Sequence, residues 1–295
     1  MYAQFFGTFL LSHNIVTKDQ LLNALGKKSS QHMKLGTLAI MKGYMTANEV
    51  DNVIISQTHN DCRFGDLAVR EGYLTQEQVD ELVKTQYPDF LLLGQTLVDE
   101  GYITNTQLET LIADYESENE LTDLDYSNEK QDDLDRILAN FFHSTDVAAD
   151  EYNASYMRLL FNDLTRFIGD DFTPLCFNPC KEYPVNYCVS QAIHGDLSAK
   201  VYLDMPETTC ISFASRYVNE EFTEFDEYVQ ASLEDFLNLH NGLYNVNISN
   251  TLGKELTLEA PEVVSDELID LSDSSYLLQI MYPFGIVNFI FELKK

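Results

Sequence analysis

The chain of 295 residues carries 18 basic and 48 acidic side chains, a formal charge of −30. At roughly 150 residues per domain this length suggests two domains, and 45% hydrophobic residues supply an ordinary core rather than wholesale disorder. So acidic a chain excludes a groove for nucleic-acid phosphates, which needs clustered Lys and Arg, and docking on an anionic membrane surface. Five scattered cysteines (Cys62, Cys176, Cys180, Cys188 and Cys210) do not form a disulfide framework and point to a reducing compartment. No basic-then-apolar leader opens the chain. The most apolar stretch, 276–293, is broken by Pro283, Gly285 and Asn288, short of the run of about 18 apolar residues that a membrane helix needs. The expectation is a cytoplasmic protein without membrane insertion.

The first 115 residues hold 8 basic and 14 acidic side chains, and they repeat with a period of 29. Gly7, Gly36, Gly65 and Gly94 are one period apart, as are Thr17, Thr46, Thr75 and Thr104. A second position runs Asn14, Gly43, Gly72 and Gly101. Each Thr opens a Thr-x-x-Gln/Glu box, which satisfies amide donors at a helix start. The Gly or Asn three residues earlier suits the left-handed residue that stops a preceding helix. Leu21, Val50, Val79 and Leu108, with Leu25, Ile54, Val83 and Ile112, then form one helical stripe per copy. Each unit reads as a short helix, a tight turn and a longer helix that buries its apolar face by stacking on its neighbours.

Two of the four units carry a cation before the first glycine, Lys34-Leu35-Gly36 and Arg63-Phe64-Gly65, and both end in glutamine, Gln57 and Gln86. The outer units have Phe5 and Leu92 at the cation position and read as scaffold. A cation, a backbone amide and a side-chain amide, duplicated on adjacent units, suit a two-fold ligand bearing phosphate and base. This stretch resembles the N-terminal domain of the type II secretion and pilus ATPases, the MshE-type cyclic di-GMP-binding domain. The resemblance lies in two 24-residue copies, Lys34 to Gln57 and Arg63 to Gln86, separated by five residues. It implies that Lys34 and Arg63 contact phosphate or guanine and that the backbones of Gly36, Gly43, Gly65 and Gly72 approach the dinucleotide. It also implies that Leu35, Ile40, Val50, Ile54, Phe64, Val69, Val79 and Val83 cover the rings, with Gln57 and Gln86 closing each copy. Lys34 stands where that family has Arg and lacks its planar fork. Phe64 stands where it has Leu, and Ala39 and Ala68 thin an apolar pair. No Gly-x-x-x-x-Gly-Lys-Ser/Thr loop occurs, so the ATPase itself is absent.

Glu116 to Arg136 holds nine acids and two bases and reads as a solvated linker. The division expected is a helical repeat domain over 1–115, an acidic linker over 116–137 and an α+β domain over 138–295. In the last, Leu138, Phe141, Phe142, Tyr156, Leu159, Leu160, Leu164 and Phe167 have helical spacing. Tyr187, Val189, Gln191 and Ile193 alternate, His194-Gly195-Asp196 turns, and Leu197, Ala199, Val201 and Leu203 alternate back, which makes a β-hairpin. A helix follows over about 207–218, then a long helix with Thr223 and Asp226 at its start. Strands near 275–282 and 286–293 close the domain, an α+β layered arrangement. On the long helix Leu233, Phe236 and Leu237 share one face with Phe225. Glu234, Asp235, Asn238 and Asn241 fall on the other.

This order of elements resembles the CheX and CheC chemotaxis phosphatases. Ile193-His194-Gly195-Asp196-Leu197-Ser198 resembles that family's Gly-Asp hairpin, and Asp235-Phe236-Leu237-Asn238 with Gly242 resembles its Glu-x-x-Asn helix. The resemblance implies docking on a phosphorylated receiver domain and, in the family, homodimerisation. It implies further that Asn238 orients the attacking water, that Asp235 (or Glu234) anchors the partner, and that the receiver supplies Mg²⁺. Asp235 is one methylene shorter than the family Glu, so the expectation is a binding or dimerising module. A phospho-aspartate phosphatase and a non-catalytic structural scaffold are the alternatives. The chain then reads as a bacterial signalling protein that binds cyclic di-GMP and relays it through the second domain. Cys176-x-x-x-Cys180 reaches zinc spacing, but no second pair or paired histidines follow, and no metal site is expected.

Overall fold

The computed structural model describes residues 2–28, 31–85, 87, 89–119, 138–141, 151–175 and 177–294. The chain divides into two compact units, Met1–Ile137 and Leu138–Lys295. In the first unit the described helices are α1 (Tyr2–Ser12), α2 (Lys18–Lys28), α3 (Leu35–Met41), α4 (Ala47–Gln57), α5 (Phe64–Arg70), α6 (Gln76–Lys84), α7 (Asp89–Asp99) and α8 (Asn105–Glu118). Local chemistry sets their ends. Thr46, Thr75 and Thr104 each accept from the amide three residues on, and Glu49, Gln78 and Gln107 reach back to the Thr amide. Thr17 and Gln20 do the same at 3.2 and 2.9 Å. Asn14, Gly43, Gly72 and Gly101 have φ of 55°, 65°, 82° and 72°, the left-handed conformation that stops a helix and that glycine adopts at little cost.

The glycine near the start of each short helix has a packing reason. A Cβ on Gly36 would lie 2.8 Å from Val50 Cγ1, and one on Gly65 would lie 3.0 Å from Val79 Cγ1. Glycine thus lets these two short helices seat against the longer helix of their own pair.

The pairs do not stack in chain order. The fourth pair sits between the first and the second: α7 packs on α1 and α2, and α8 on α3 and α4. Phe6 meets Phe90 and Tyr115 through ring contacts. Asn23 donates to Tyr102 Oη at 2.7 Å, and Lys27 pairs with Glu100. On the opposite side Thr37 bonds Gln95 and Asn105 donates to Asp51 at 2.6 Å. The third pair packs on the second through α3 with α6 and α4 with α5. Helix α8 runs to Glu118, and the Asn119 amide bonds the Tyr115 carbonyl at 3.2 Å, so the expected linker begins inside a helix. The rest of it, 120–137, lies outside the described residues, as does Phe142.

In the second unit 138–141 is helical. Helix α9 (Glu151–Asp163) passes into a π-helical turn, Leu164–Ile168. Strands β1 (Thr173–Pro174), β2 (Asn178–Pro179), β3 (Glu182–Pro184), β4 (Tyr187–Gly195) and β5 (Ser198–Met205) follow. Next come α10 (Glu207–Val218), α11 (Glu227–Leu252), β6 (Leu256–Leu258), β7 (Glu262–Ser265), β8 (Leu268–Asp270), β9 (Ser275–Tyr282) and β10 (Gly285–Lys294). Among the described residues the main sheet is antiparallel with the order β1-β9-β10-β5-β4-β6, β2 also pairing with β9 and β7 with β4. A separate ribbon pairs β3 with β8.

The β4–β5 hairpin sets Val189 opposite Leu203 and Gln191 opposite Val201. Alternation alone predicts one wet face, yet Tyr187 through Gln191 are all buried. Helices cover one face, where Phe213, Phe236, Leu237 and Phe289 are buried. On the other, Cys188, Tyr202 and Ile290 form a second core under Tyr183 of β3 and Ile269 of β8. Asp226 alone caps α11, accepting from Tyr228 N and Val229 N at 3.0 Å; Thr223 lies outside the helix. Gly195 (φ 121°) and Asp196 pin the chain that leaves α11: Asp196 Oδ2 accepts from Glu255 N at 3.2 Å.

Candidate functional site

Helix α11 presents Asp235 and Asn238 to solvent one turn apart. Exposed Tyr228, Leu243 and Val246 flank them on the same helix. Asp235 Oδ2 accepts from Tyr217 Oη of α10 at 2.6 Å, which leaves Oδ1 facing water. Burial, then the carboxylate beside it, raises the Tyr217 pKa, so its hydroxyl keeps its proton. Glu234, the alternative to Asp235, is half-buried. Burial and the Glu234 charge lift the Tyr187 hydroxyl to about 12.

Asn241, expected on the polar outer face, is fully buried. The reason is a polar chain beneath Asn238 that helix periodicity does not reveal. Tyr156 Oη of α9 donates to Asn241 Oδ1 at 2.7 Å. Asn241 Nδ2 donates to Gln191 Oε1 of β4 at 2.8 Å. Gln191 Nε2 donates to Asn238 Oδ1 and to the Glu259 carbonyl, each at 2.8 Å. Buried polar groups are tolerable when partnered, and here the Gln191 and Asn241 side-chain oxygens and nitrogens each have a protein partner. Gln191 stood in the sequence only as a strand position. A polar side chain in the inward phase of an alternating strand was the available signal.

Two residues after Asn238, His240 is fully buried, with Nδ1 2.7 Å from Asp163 Oδ2 at the start of the π-helical turn. Burial lowers its pKa, with Asp163 acting in the opposite sense, so the neutral ring donates Nδ1–H to the carboxylate.

In the first unit the residues expected to bind a dinucleotide line two neighbouring clefts. One, of about 360 Å³, is walled by Lys34, Leu35, Gly36, Val50, Ile54 and Gln57, with Gln95, Val98 and Asp99 of the fourth pair. The other, of about 600 Å³, is walled by Arg63, Phe64, Gly65, Val79 and Val83. Leu35 and Phe64 belong to both. Ile40 is buried in the core, Val69 is half-buried, and Gly43 and Gly72 occupy helix-stopping turns; these four line neither cleft. Gln86 lies outside the described residues. Gln57 donates to the Cys62 carbonyl at 2.9 Å and so also braces the spacer between the copies.

The cations differ. Lys34 pairs with Asp99, whereas the Arg63 guanidinium has no hydrogen-bond or ion-pair partner among the described residues. The apolar stripe differs too. Leu25 and Ile112 are 4% and 6% exposed, but their equivalents Ile54 and Val83 are 44% and 72% exposed. The fourth pair covers the first, while the second and third leave this position open at the cleft mouths. The outer pairs were expected only to be scaffold; the fourth also walls a cleft.

Among the described residues no group of three or more His, Cys, Asp or Glu converges as metal ligands, and no helix is long and apolar enough to cross a membrane. Cys176 lies outside the described residues, and Cys180 donates to the Glu182 carbonyl at 3.5 Å.

The family model described as chemotaxis phosphatase CheX matches residues 187–285, the span from the hairpin through α11 to the final turn. This part of the chain is a CheX-like domain. Among solved structures, a CheC-like superfamily protein from Shewanella sp. PV-4 is 17% identical, covering 50% of this chain and 100% of that one, with a TM-score of 0.45. CheX from Desulfovibrio desulfuricans is 12% identical over 49% of this chain and 100% of that one, with a TM-score of 0.43. The CheX-CheY-BeF3-Mg²⁺ complex from Borrelia burgdorferi is 15% identical, covering 49% and 99%, with a TM-score of 0.40. No curated protein matches the chain.

Proposed function

We propose that the second unit docks a phosphorylated receiver domain on the exposed face of α11 and hydrolyses its phospho-aspartate. One observation carries this reading: Asp235 and Asn238 stand together on that face, with the Asn238 carbonyl held from below so that its NH₂ points outward. In this reading Asp235 Oδ1 pairs with a cation of the partner. Asn238 Nδ2 donates to the oxygen of a water and holds it in line with phosphorus. The water oxygen forms the new P–O bond, the acyl P–O bond breaks, and its electron pair leaves on the receiver carboxylate. The water proton passes to the departing phosphate and solvent. Mg²⁺ on the receiver would neutralise phosphoryl charge, and catalysis here is positioning. The test is phosphate release from a CheY-type receiver phosphorylated with phosphoramidate in Mg²⁺. Asn238→Ala abolishes the acceleration and leaves receiver affinity within about threefold. Unchanged release by that variant removes the assignment.

A second reading concerns the first unit. The unpartnered Arg63 beside exposed Ile54 and Val83 supports an anionic, ring-bearing ligand that spans both clefts, with cyclic di-GMP as the candidate. Together the readings describe a signalling protein in which a nucleotide messenger and a receiver phosphate meet on one chain. Calorimetry of the full chain with cyclic di-GMP, against GTP, tests this. Selective micromolar binding that Arg63→Ala removes supports it, and absence of heat refutes it.

A further inference from the structure

We infer that Gln191 is a positioning residue that sets the direction of the Asn238 amide, so that this site offers its partner a hydrogen-bond donor and not an acceptor. The inference rests on the reading of Asn238 given above, and its geometry stands apart from any measured activity. A side-chain amide can in principle be turned over, exchanging its oxygen and its NH₂. Here the Glu259 backbone carbonyl forbids the exchange at Gln191, because a carbonyl only accepts. Gln191 must therefore present Nε2 to it, at 2.8 Å. The second Nε2 hydrogen then points at Asn238, which must answer with Oδ1, at 2.8 Å. Turning Asn238 over would set two NH₂ groups against each other. The other end of Gln191 is fixed in the same sense: Oε1 accepts from Asn241 Nδ2, and Asn241 Oδ1 accepts from the Tyr156 hydroxyl.

Nothing on this path is loose. Gln191 is 1% exposed and Asn241 fully buried. The Tyr156 ring lies edge-on against those of His240, Tyr244 and Phe291, and burial raises its pKa well above that of a free phenol, so it stays a donor. The chain draws on α9, β4, α11 and the carbonyl at Glu259, and its orientation originates at a backbone group that no side-chain substitution alters. It ends at the only amide NH₂ of the series that faces solvent. For phosphoryl transfer this places N–H hydrogens where a water lone pair or a phosphoryl oxygen would sit, and leaves proton acceptance to other groups.

The experiment uses the full chain with ¹⁵N-labelled side-chain amides and the phosphoramidate-treated CheY-type receiver in Mg²⁺. The Asn238 and Gln191 amide pairs are identified by their loss in Asn238→Asp and Gln191→Met. Gln191→Met is nearly isosteric and removes the donor. The expected result is a displaced, faster-exchanging Asn238 pair, a kcat lowered about tenfold and a KM within twofold, since misplacement near the reacting atoms costs rate more than affinity. An Asn238 pair that does not move overturns the inference whatever the activity, and so does an unchanged kcat in an active enzyme. A wild-type chain without phosphatase activity defeats the receiver reading alone, and the amide resonances still decide the orientation. If Gln191→Met does not fold, Tyr156→Phe keeps the ring in its core slot, deletes the first donor and must shift the same Asn238 pair.

Discussion

The unequal exposure of one equivalent position in four helix pairs can be measured as stability. Val83→Ala deletes two carbons from a residue that is 72% exposed. At about 0.8 kcal/mol per buried methylene, that costs about 0.4 kcal/mol. Ile54→Ala deletes three carbons from a residue 44% exposed and costs about 1.3 kcal/mol. The same change at Leu25 or Ile112, which are 4% and 6% exposed, leaves a cavity in a packed core and costs about 2–5 kcal/mol. Hydrogen exchange of the α2, α4, α6 and α8 amides, read by mass spectrometry, resolves this unit from the rest of the chain. The four variants should rank Val83, Ile54, then Leu25 and Ile112 together. If Val83→Ala cost as much as Leu25→Ala, the cleft mouths would be closed in solution and the open positions could not meet a ligand. Saturating cyclic di-GMP should protect α4 and α6 in the wild type and lose that effect in Val83→Ser, whose own stability is nearly unchanged.

Three further outcomes are expected. Lys34 is neutralised by Asp99 while Arg63 is unpaired, so calorimetry should show Lys34→Ala weakening dinucleotide binding about tenfold less than Arg63→Ala, a difference of about 1.4 kcal/mol. Asp204 is buried and accepts from Asn186 N at 2.7 Å, Tyr183 Oη at 2.9 Å and Asn186 Nδ2 at 3.2 Å; Asp204→Asn turns an NH₂ onto donors and should cost about 2–3 kcal/mol in urea unfolding. His240 has a depressed pKa in the fold, so its contribution is present above the unfolded value of about 6.5 and is lost as pH falls through the folded value. The melting temperature of the second unit should therefore drop between pH 7.5 and 5.5, and His240→Asn, which keeps a donor near the Nδ1 position, should flatten that drop.

How much of this was legible in the sequence depends on how local each cause is. The capping boxes at Thr46, Thr75 and Thr104 and the turns at Gly43, Gly72 and Gly101 are short-range chemistry, and they stand in the sequence residue by residue. The hairpin over 187–205 shows through its alternation, and the long helix through its apolar face. β6, β7 and β8 are three or four residues long and largely exposed, too short for a period to register. The burial of Asn241 was hidden because a helical wheel sorts residues by polarity. It cannot know that Gln191 and Tyr156, 50 and 85 positions away, wait with matched donors and acceptors. Ile54 and Val83 share a pattern with Leu25 and Ile112, and only the spatial order of the helix pairs tells covered from open. Asp235 and Asn238 were placed by their spacing, but the hold that Tyr217 and Gln191 exert on them is tertiary.

The insertion of the fourth helix pair between the first and second bears on how this unit comes into being. α2 ends at Lys28 and its packing partner α7 begins at Asp89. During synthesis the earliest apolar surfaces therefore wait for the latest helices, and α3 and α4 lack one flank until α8 has emerged. A solenoid grows by adding links, each resting on the one before; this array instead receives its last-made pair in its interior, between the first and the second. Its assembly is governed by contacts distant in sequence, which slow folding and make it more nearly all-or-none. Removing the second or the fourth pair would separate its neighbours, whereas the third pair, which packs on the second through α3 with α6 and α4 with α5, stands at one end of the array.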